Sequence, residues 1–176
     1  MSDSTSIALV TGGNRGIGLA IAHALKAAGH RVVITYRSGT PPTGFDAVQM
    51  DVTDSASVDE GFTKVESEIG QPEIIVANAG ITKDTLVMRM SDEDFENVID
   101  ANLTGAFRVS KRATKGLLKL KRGRLIFIGS VVGGSRSRRP SELLCLKIGP
   151  RRNGAIICAR IGKSRNHCQC DCTWIC

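Results

Sequence analysis

No stretch of the 176-residue chain approaches the ~18 consecutive apolar residues of a membrane-spanning helix. Met1–Gly13 carries no basic segment ahead of its apolar residues, so the pattern of a secretory leader is missing too. Aromatic residues are scarce, at 4%, with one tyrosine, Tyr36, and one tryptophan, Trp174. Chemistry that needs a phenol therefore has a single candidate in the whole chain. Residues 1–134 contain no cysteine, so any thiolate chemistry is confined to residues 135–176, with Cys145, Cys158, Cys168, Cys170, Cys172 and Cys176. What is abundant is apolar side chain, 41% of residues, which supports a packed core and excludes a disordered or low-complexity chain. The length suits one domain. A soluble, cytoplasmic protein with no membrane partner is the expectation.

Charge is as unevenly spread as cysteine. The net +7 vanishes over residues 1–134, which hold 15 Lys+Arg and 15 Asp+Glu; residues 135–176 hold 9 basic and 2 acidic residues. A domain shaped as one piece rarely changes composition so sharply. The chain is therefore read as two parts, 1–134 and a basic, Cys-rich tail, 135–176.

In the first part apolar runs alternate with helical periodicity. Ile7-Ala8-Leu9-Val10 reads as a buried strand that ends in the turn Thr11-Gly12-Gly13. Ile17, Ala20, Ile21, Ala24, Leu25 and Ala28 recur at helical spacing, and Gly29 stops that helix. Strands are predicted at Arg31–Thr35, Asp46–Met50, Glu73–Ala77 and Arg124–Ile128, with helices at Ser55–Ile69, Asp92–Ile99 and Leu103–Leu120. Strands apolar on both faces, alternating with helices, imply a doubly wound parallel α/β sheet of the Rossmann type. Ligands of such sheets sit at the carboxyl ends of the strands, where the strand order switches. The glycine turn and Asn78-Ala79-Gly80 fall at such ends.

Thr11-Gly12-Gly13-Asn14-Arg15-Gly16-Ile17-Gly18 joins the first strand to the first helix. Bare backbone at Gly12, Gly16 and Gly18 lets the chain turn tightly and approach a pyrophosphate, with the free N–H groups of the helix N-terminus facing it. The bland alternative is a tight strand-to-helix turn; placement between a strand and an amphipathic helix favours the dinucleotide. Sites for NAD place a carboxylate at the end of the second strand. This chain has Tyr36-Arg37-Ser38 there. Arg37, helped by Arg15, suits a 2′-phosphate, whereas an acid would repel it. The alternative for Arg37 is a solvated loop arginine. NADP(H) is the expected cofactor.

Taken in order, Thr-Gly-x3-Gly-Ile-Gly, Asp51-Val52, Asn78-Ala79-Gly80, Asn102 and Ile128-Gly129-Ser130 resemble the short-chain dehydrogenase/reductase family over about residues 6–132. Met88-Arg89-Met90, Asn102-Leu103-Thr104-Gly105-Ala106-Phe107 and Ile126–Ser130 are similar to the 3-oxoacyl-acyl-carrier-protein reductases of fatty-acid elongation within it. The resemblance implies NADPH-dependent reduction of a 3-oxoacyl thioester on acyl carrier protein, in a family that is usually tetrameric. It implies that Asp51 and Val52 border the adenine, that Asn78, Ala79 and Gly80 line the ribose, and that Asn14 and Ile17 belong to the glycine turn. It further implies that the Ser130 hydroxyl bonds the substrate carbonyl and that Asn102 positions a water in a proton relay. A tyrosine with a lysine four residues on completes the family's acid.

That last pair is where the pattern breaks. The position that matches the tyrosine holds Leu143, although Lys147 stands at the lysine position. The genetic code offers a reason. Regrouping each codon's last two bases with the first base of the next lets Pro140–Gly154 read as QANYSASKSGLVGMA and Arg165–Cys176 as GITANVIAPGY. Both strings are family-like, and the first restores tyrosine and lysine. The tail therefore reads as an out-of-frame translation beginning between Ser130 and Arg136. On that reading the spacing of His167-Cys168-Gln169-Cys170-Asp171-Cys172 with Cys176, and the cluster Arg136, Arg138, Arg139, Arg151 and Arg152, arise without selection; the alternative is a tail whose cysteines hold a soft metal or whose arginines neutralise the phosphates of a nucleic acid. Little or no reductase activity is expected, and an exposed sheet edge is expected at Arg124–Ile128.

Overall fold

The computed structural model describes residues 5–129 and the backbone of two short strands farther along the chain. Strands β1 (Ile7–Val10), β2 (Arg31–Tyr36), β3 (Asp46–Gln49), β4 (Ile74–Ala77) and β5 (Gly123–Phe127) form a parallel sheet in the order β3-β2-β1-β4-β5. The chain walks outward from β1 to β3, then crosses back to place β4 on the other side of β1. That reversal puts the topological switch between β1 and β4.

Side-chain alternation along the strands builds a core on each face of the sheet. On one face Leu9, Val33, Val48, Ile75 and Leu125 meet Val58, Phe62 and Val65 of helix α2 (Ser55–Glu68) and Val109, Ala113 and Leu117 of helix α4 (Gly105–Leu120). On the other, Ala8, Val10, Val32, Ile34, Ile74 and Val76 pack with Ala22, Ile21 and Leu25 of helix α1 (Gly16–Ala27). The apolar spacing of 109, 113 and 117 gives α4 one buried stripe, and Arg112 on the neighbouring stripe makes a two-pronged ion pair with Glu66 of α2, both contacts 2.8 Å. Those bonds hold the Glu66 carboxyl below its ordinary value despite partial burial.

Local chemistry fixes the helix starts. The Asp54 carboxylate accepts from the N–H groups of Ala56 and Ser57 at the head of α2. Ser91 accepts from Asp94 at the head of helix α3 (Asp92–Ile99). α3 runs into α4 through a wide turn, Asp100–Thr104, in which the Gly105 N–H reaches back five residues to the Asp100 carbonyl. This is why α4 begins at Gly105 and not at Leu103. The remaining predicted elements match within one or two residues.

One expectation is corrected. The outer edge of β5 is not open: β6 (Ile157–Ile161) pairs with it antiparallel, Phe127 opposite Ile157 and Gly123 opposite Ile161, and β7 (Gln169–Cys172) pairs antiparallel with β6. The physical reason is that a free ladder of N–H and C=O groups accepts an added strand whatever its side chains. Antiparallel addition also escapes the crossover that a parallel sixth strand requires.

Candidate functional site

At the carboxyl ends of β1 and β4 the backbone is tied across the switch point by two side chains. The Thr11 hydroxyl donates to the Val76 carbonyl (3.3 Å) and accepts from the N–H groups of Asn78 and Ala79, both at 3.0 Å. In return, the Asn78 carboxamide donates to the carbonyls of Thr11 (2.9 Å) and Gly12 (3.2 Å). Thr11 is 1% exposed, so its hydroxyl has to find such partners inside the protein. Its role was not visible in the motif spacing. A polar residue closing an apolar strand was the available signal.

The glycine turn lies against this brace. Gly12 and Gly16 adopt φ of 63° and 54°, the left-handed region that other residues avoid. Gly18 is required for a different reason: a Cβ there would collide with the Gly12 carbonyl and the Asn78 amide. A Cβ at Gly16, by contrast, would meet nothing within 4 Å, so this stretch of backbone faces open space. α1 starts here, with no side chain capping its first N–H groups and no acidic residue in its first turn. Those free donors and the helix dipole suit an anion.

A cavity of about 370 Å³ opens over the turn. Gly12, Asn14, Arg15, Gly16, Ile17, Gly18, Arg37, Asp51, Val52, Asn78, Ala79 and Gly80, the full set expected to hold the cofactor, line it together. Ser38, Met50, Thr53, Ile81, Thr82, Ala101, Ile128 and Gly129 complete the wall; Ser38, Ile128 and Gly129 stand in stretches already noted in the sequence, but none of the eight was assigned there to the cofactor. Arg15 and Arg37 are exposed at its rim, and neither is in an ion pair among the described residues. Burial works to raise the Asp51 carboxyl. The Thr53 N–H and hydroxyl, at 2.9 and 2.7 Å, with the positive charges of Arg37 and Arg108, outweigh it and hold the group below its ordinary value. Asp51 is thus a carboxylate fixed by its neighbours, in a wall whose rim is cationic.

Asn102 lies beside the cavity rather than in its lining, which Ala101 supplies. Its carboxamide is engaged with one backbone unit: Oδ1 accepts from the Ile81 N–H at 2.8 Å, and Nδ2 donates to the Ile81 carbonyl at 2.9 Å. Gly80 allows this approach, since a Cβ there would stand 2.5 Å from Oδ1. The side chain therefore holds the loop after β4 in place. Ser130, Leu143 and Lys147 lie outside the described residues. Among the described residues no three His, Cys, Asp or Glu side chains gather as a metal site, and no helix is long and apolar enough to cross a membrane.

A glycine turn feeding an uncapped helix, a strand switch above it and an Asn-Ala-Gly turn opposite form one ordered constellation. The family model described as short chain dehydrogenase matches residues 6–141. The chain belongs to the short chain dehydrogenase family. Among curated members of that family it is 57% identical over 125 residues to the 3-oxoacyl-[acyl-carrier-protein] reductase MabA of Mycobacterium tuberculosis, covering 71% of this chain and 51% of that protein. It is 42% identical over 144 residues to the 3-oxoacyl-[acyl-carrier-protein] reductase FabG of Escherichia coli, covering 76% and 58%. The chain thus spans about half the length of the mycobacterial relative. The crystal structure of gox2181 superposes with a TM-score of 0.76 at 32% identity, over 82% of this chain and 62% of that one.

Proposed function

We propose that residues 1–134 are the NADP(H)-binding part of a 3-oxoacyl-acyl-carrier-protein reductase, and that this chain binds the dinucleotide while reducing little or no substrate. The single observation that carries the reading is the cavity at the strand switch, where α1's uncapped amides and two exposed arginines converge.

The residues present fit the group. The N-terminal amides of α1 and the bare backbone at Gly16 take the pyrophosphate, and the Asn78–Gly80 turn borders a ribose. Asp51 and Val52 border the adenine. Arg37 and Arg15 neutralise a 2′-phosphate, because no carboxylate stands at the end of β2 to repel it. When bound, NADPH supplies the hydride that reduces C3 of a 3-oxoacyl thioester. The chain's own part in that chemistry is to orient the carbonyl through the Ser130 hydroxyl and to deliver a proton to the nascent alkoxide. The second task has no donor at the expected place: Leu143 carries no exchangeable side-chain proton, and Tyr36 ends β2, on the cofactor side. A phenol near a lysine would hold its proton in reach at neutral pH; a leucine does not. Relatives named 3-oxoacyl-[acyl-carrier-protein] reductase support the substrate class; a cytoplasmic setting is proposed with it.

The same proposal extends to the tail. The tail, 135–176, is the family's sequence read one base out of register, so its cysteines and arginines serve neither metal nor nucleic acid. The nucleotide sequence across codons 128–140 tests this; an unbroken frame shared by relatives with the same tail refutes it. Function is tested by two measurements on the full chain. Fluorescence titration is expected to show saturable NADPH binding, and no binding at millimolar NADPH overturns the cofactor reading. NADPH oxidation with acetoacetyl-CoA is expected to stay at background, and turnover like that of a full-length reductase overturns the inactivity.

A further inference from the structure

We propose that Gln49 is a positioning residue that sets the site's preference for a 2′-phosphorylated dinucleotide by holding the backbone of Arg37. The inference rests on the NADP(H) reading above and adds to it the group that makes Arg37 effective.

The ladder between β2 and β3 ends with Tyr36 opposite Gln49, and the Met50 N–H closes it on the Tyr36 carbonyl at 2.9 Å. Arg37 is the first residue past that end. There a side chain takes over from the backbone: Gln49 Nε2 donates to the Arg37 carbonyl at 2.9 Å. The far end of the same loop is held separately. Lys26 Nζ donates to the Gly44 carbonyl at 2.6 Å, and the Phe45 ring sits edge-on to His23 and under Lys26. Between these anchors the loop is largely exposed. An arginine side chain has several rotatable bonds, and its reach is defined only if its backbone origin is. A competing pull exists, since the Asp51 carboxylate lines the same cavity and is charged. A fixed Arg37 backbone keeps the guanidinium at the rim, where a 2′-phosphate meets it.

Gln49 is exposed, so its bond adds little to folding and its loss is readable as a change in recognition. The experiment titrates NADPH and NADH separately against the full chain, Gln49→Met, Arg37→Met and the double variant, with thermal melts alongside. Gln49→Met keeps the side-chain length and removes the donor. It is expected to weaken NADPH by about 3–10-fold, the scale of one neutral hydrogen bond, while NADH changes by less than about twofold. In the Arg37→Met background the Gln49 effect on NADPH is expected to vanish, which a merely structural role would not produce. Should Gln49→Met melt lower, Gln49→Thr, at home in a strand but too short to reach, repeats the test.

Equal losses for both dinucleotides, an intact NADPH preference in Gln49→Met, or a loss that persists without Arg37 each overturn this proposal alone. A parent chain that binds NADPH no more tightly than NADH overturns the phosphate reading and this proposal with it.

Discussion

The two sides of the cavity are built in different ways. Where β1 meets β4, buried Thr11 and half-buried Asn78 exchange five hydrogen bonds with the backbone, and Gly18 is packed so closely that no Cβ fits. Where β2 meets β3, the rim consists of exposed Arg37 and Ser38, with one side-chain tie from Gln49. The first side is a wall made of backbone and cannot vary without cost to the sheet. The second is a rim made of side chains and can change its ligand without changing the fold. On the proposed function, recognition of a generic dinucleotide and discrimination among dinucleotides would reside in different places, with different exposure to solvent.

The largest test of this contrast is on the wall. Gly18→Ala is expected to cost about 1–3 kcal/mol, as overpacking does, and to abolish NADPH binding; urea unfolding and fluorescence titration read both. A variant that unfolds at the parental midpoint would show the wall to be softer than its geometry. Next, Thr11→Val keeps the shape and removes the hydroxyl, leaving the Asn78 and Ala79 N–H groups without that acceptor; about 2 kcal/mol of stability should go, again read by urea unfolding. Arg37→Met, on the rim, is expected to leave stability within about 0.5 kcal/mol while weakening NADPH by roughly 10–100-fold, the scale of a charge-assisted hydrogen bond.

The smallest effect concerns acid. The Asp51 carboxyl titrates below its ordinary 3.8 in the fold. Its contribution to stability is therefore complete above that value and is lost as pH falls through it toward the lower folded value. Asp51→Asn should flatten this acid limb and leave stability above about pH 5 nearly unchanged, for a partly exposed group worth under about 1 kcal/mol. An unchanged acid limb would mean that the Thr53 contacts do not survive in solution.

How much of this could be read in advance depends on the physics of each part. Period-two and period-3.6 patterns fix strands and helices locally, so β1, α1, β2 and α2 were legible almost to the residue. The glycine turn and Asn78–Gly80 were legible because positive φ and close backbone approach restrict residue type. Long-range ties were not: nothing in the spacing links Thr11 to Ala79, Asn102 to Ile81, or Gln49 to Arg37. Those bonds join residues that only the fold makes neighbours. The wide turn at Asp100–Thr104 was legible only as the gap between two predicted helices; its five-residue backbone bond, from the Gly105 N–H to the Asp100 carbonyl, is made by main-chain groups and leaves no side-chain pattern. The pairing of β5 with β6 escaped for the same reason. It depends on main-chain groups, which every sequence carries, and no side-chain pattern announces it.

The Thr11–Asn78 brace has one more effect. It fastens the two halves of the sheet at the place where a dinucleotide would lie, so parting them and emptying the pocket are the same event. Ligand and native state are then linked by mass action, and a nucleotide at about 100 times its dissociation constant adds about 2.7 kcal/mol to the native side. For this chain, the rise in melting temperature with added nucleotide is a gauge of sheet integrity that requires no turnover.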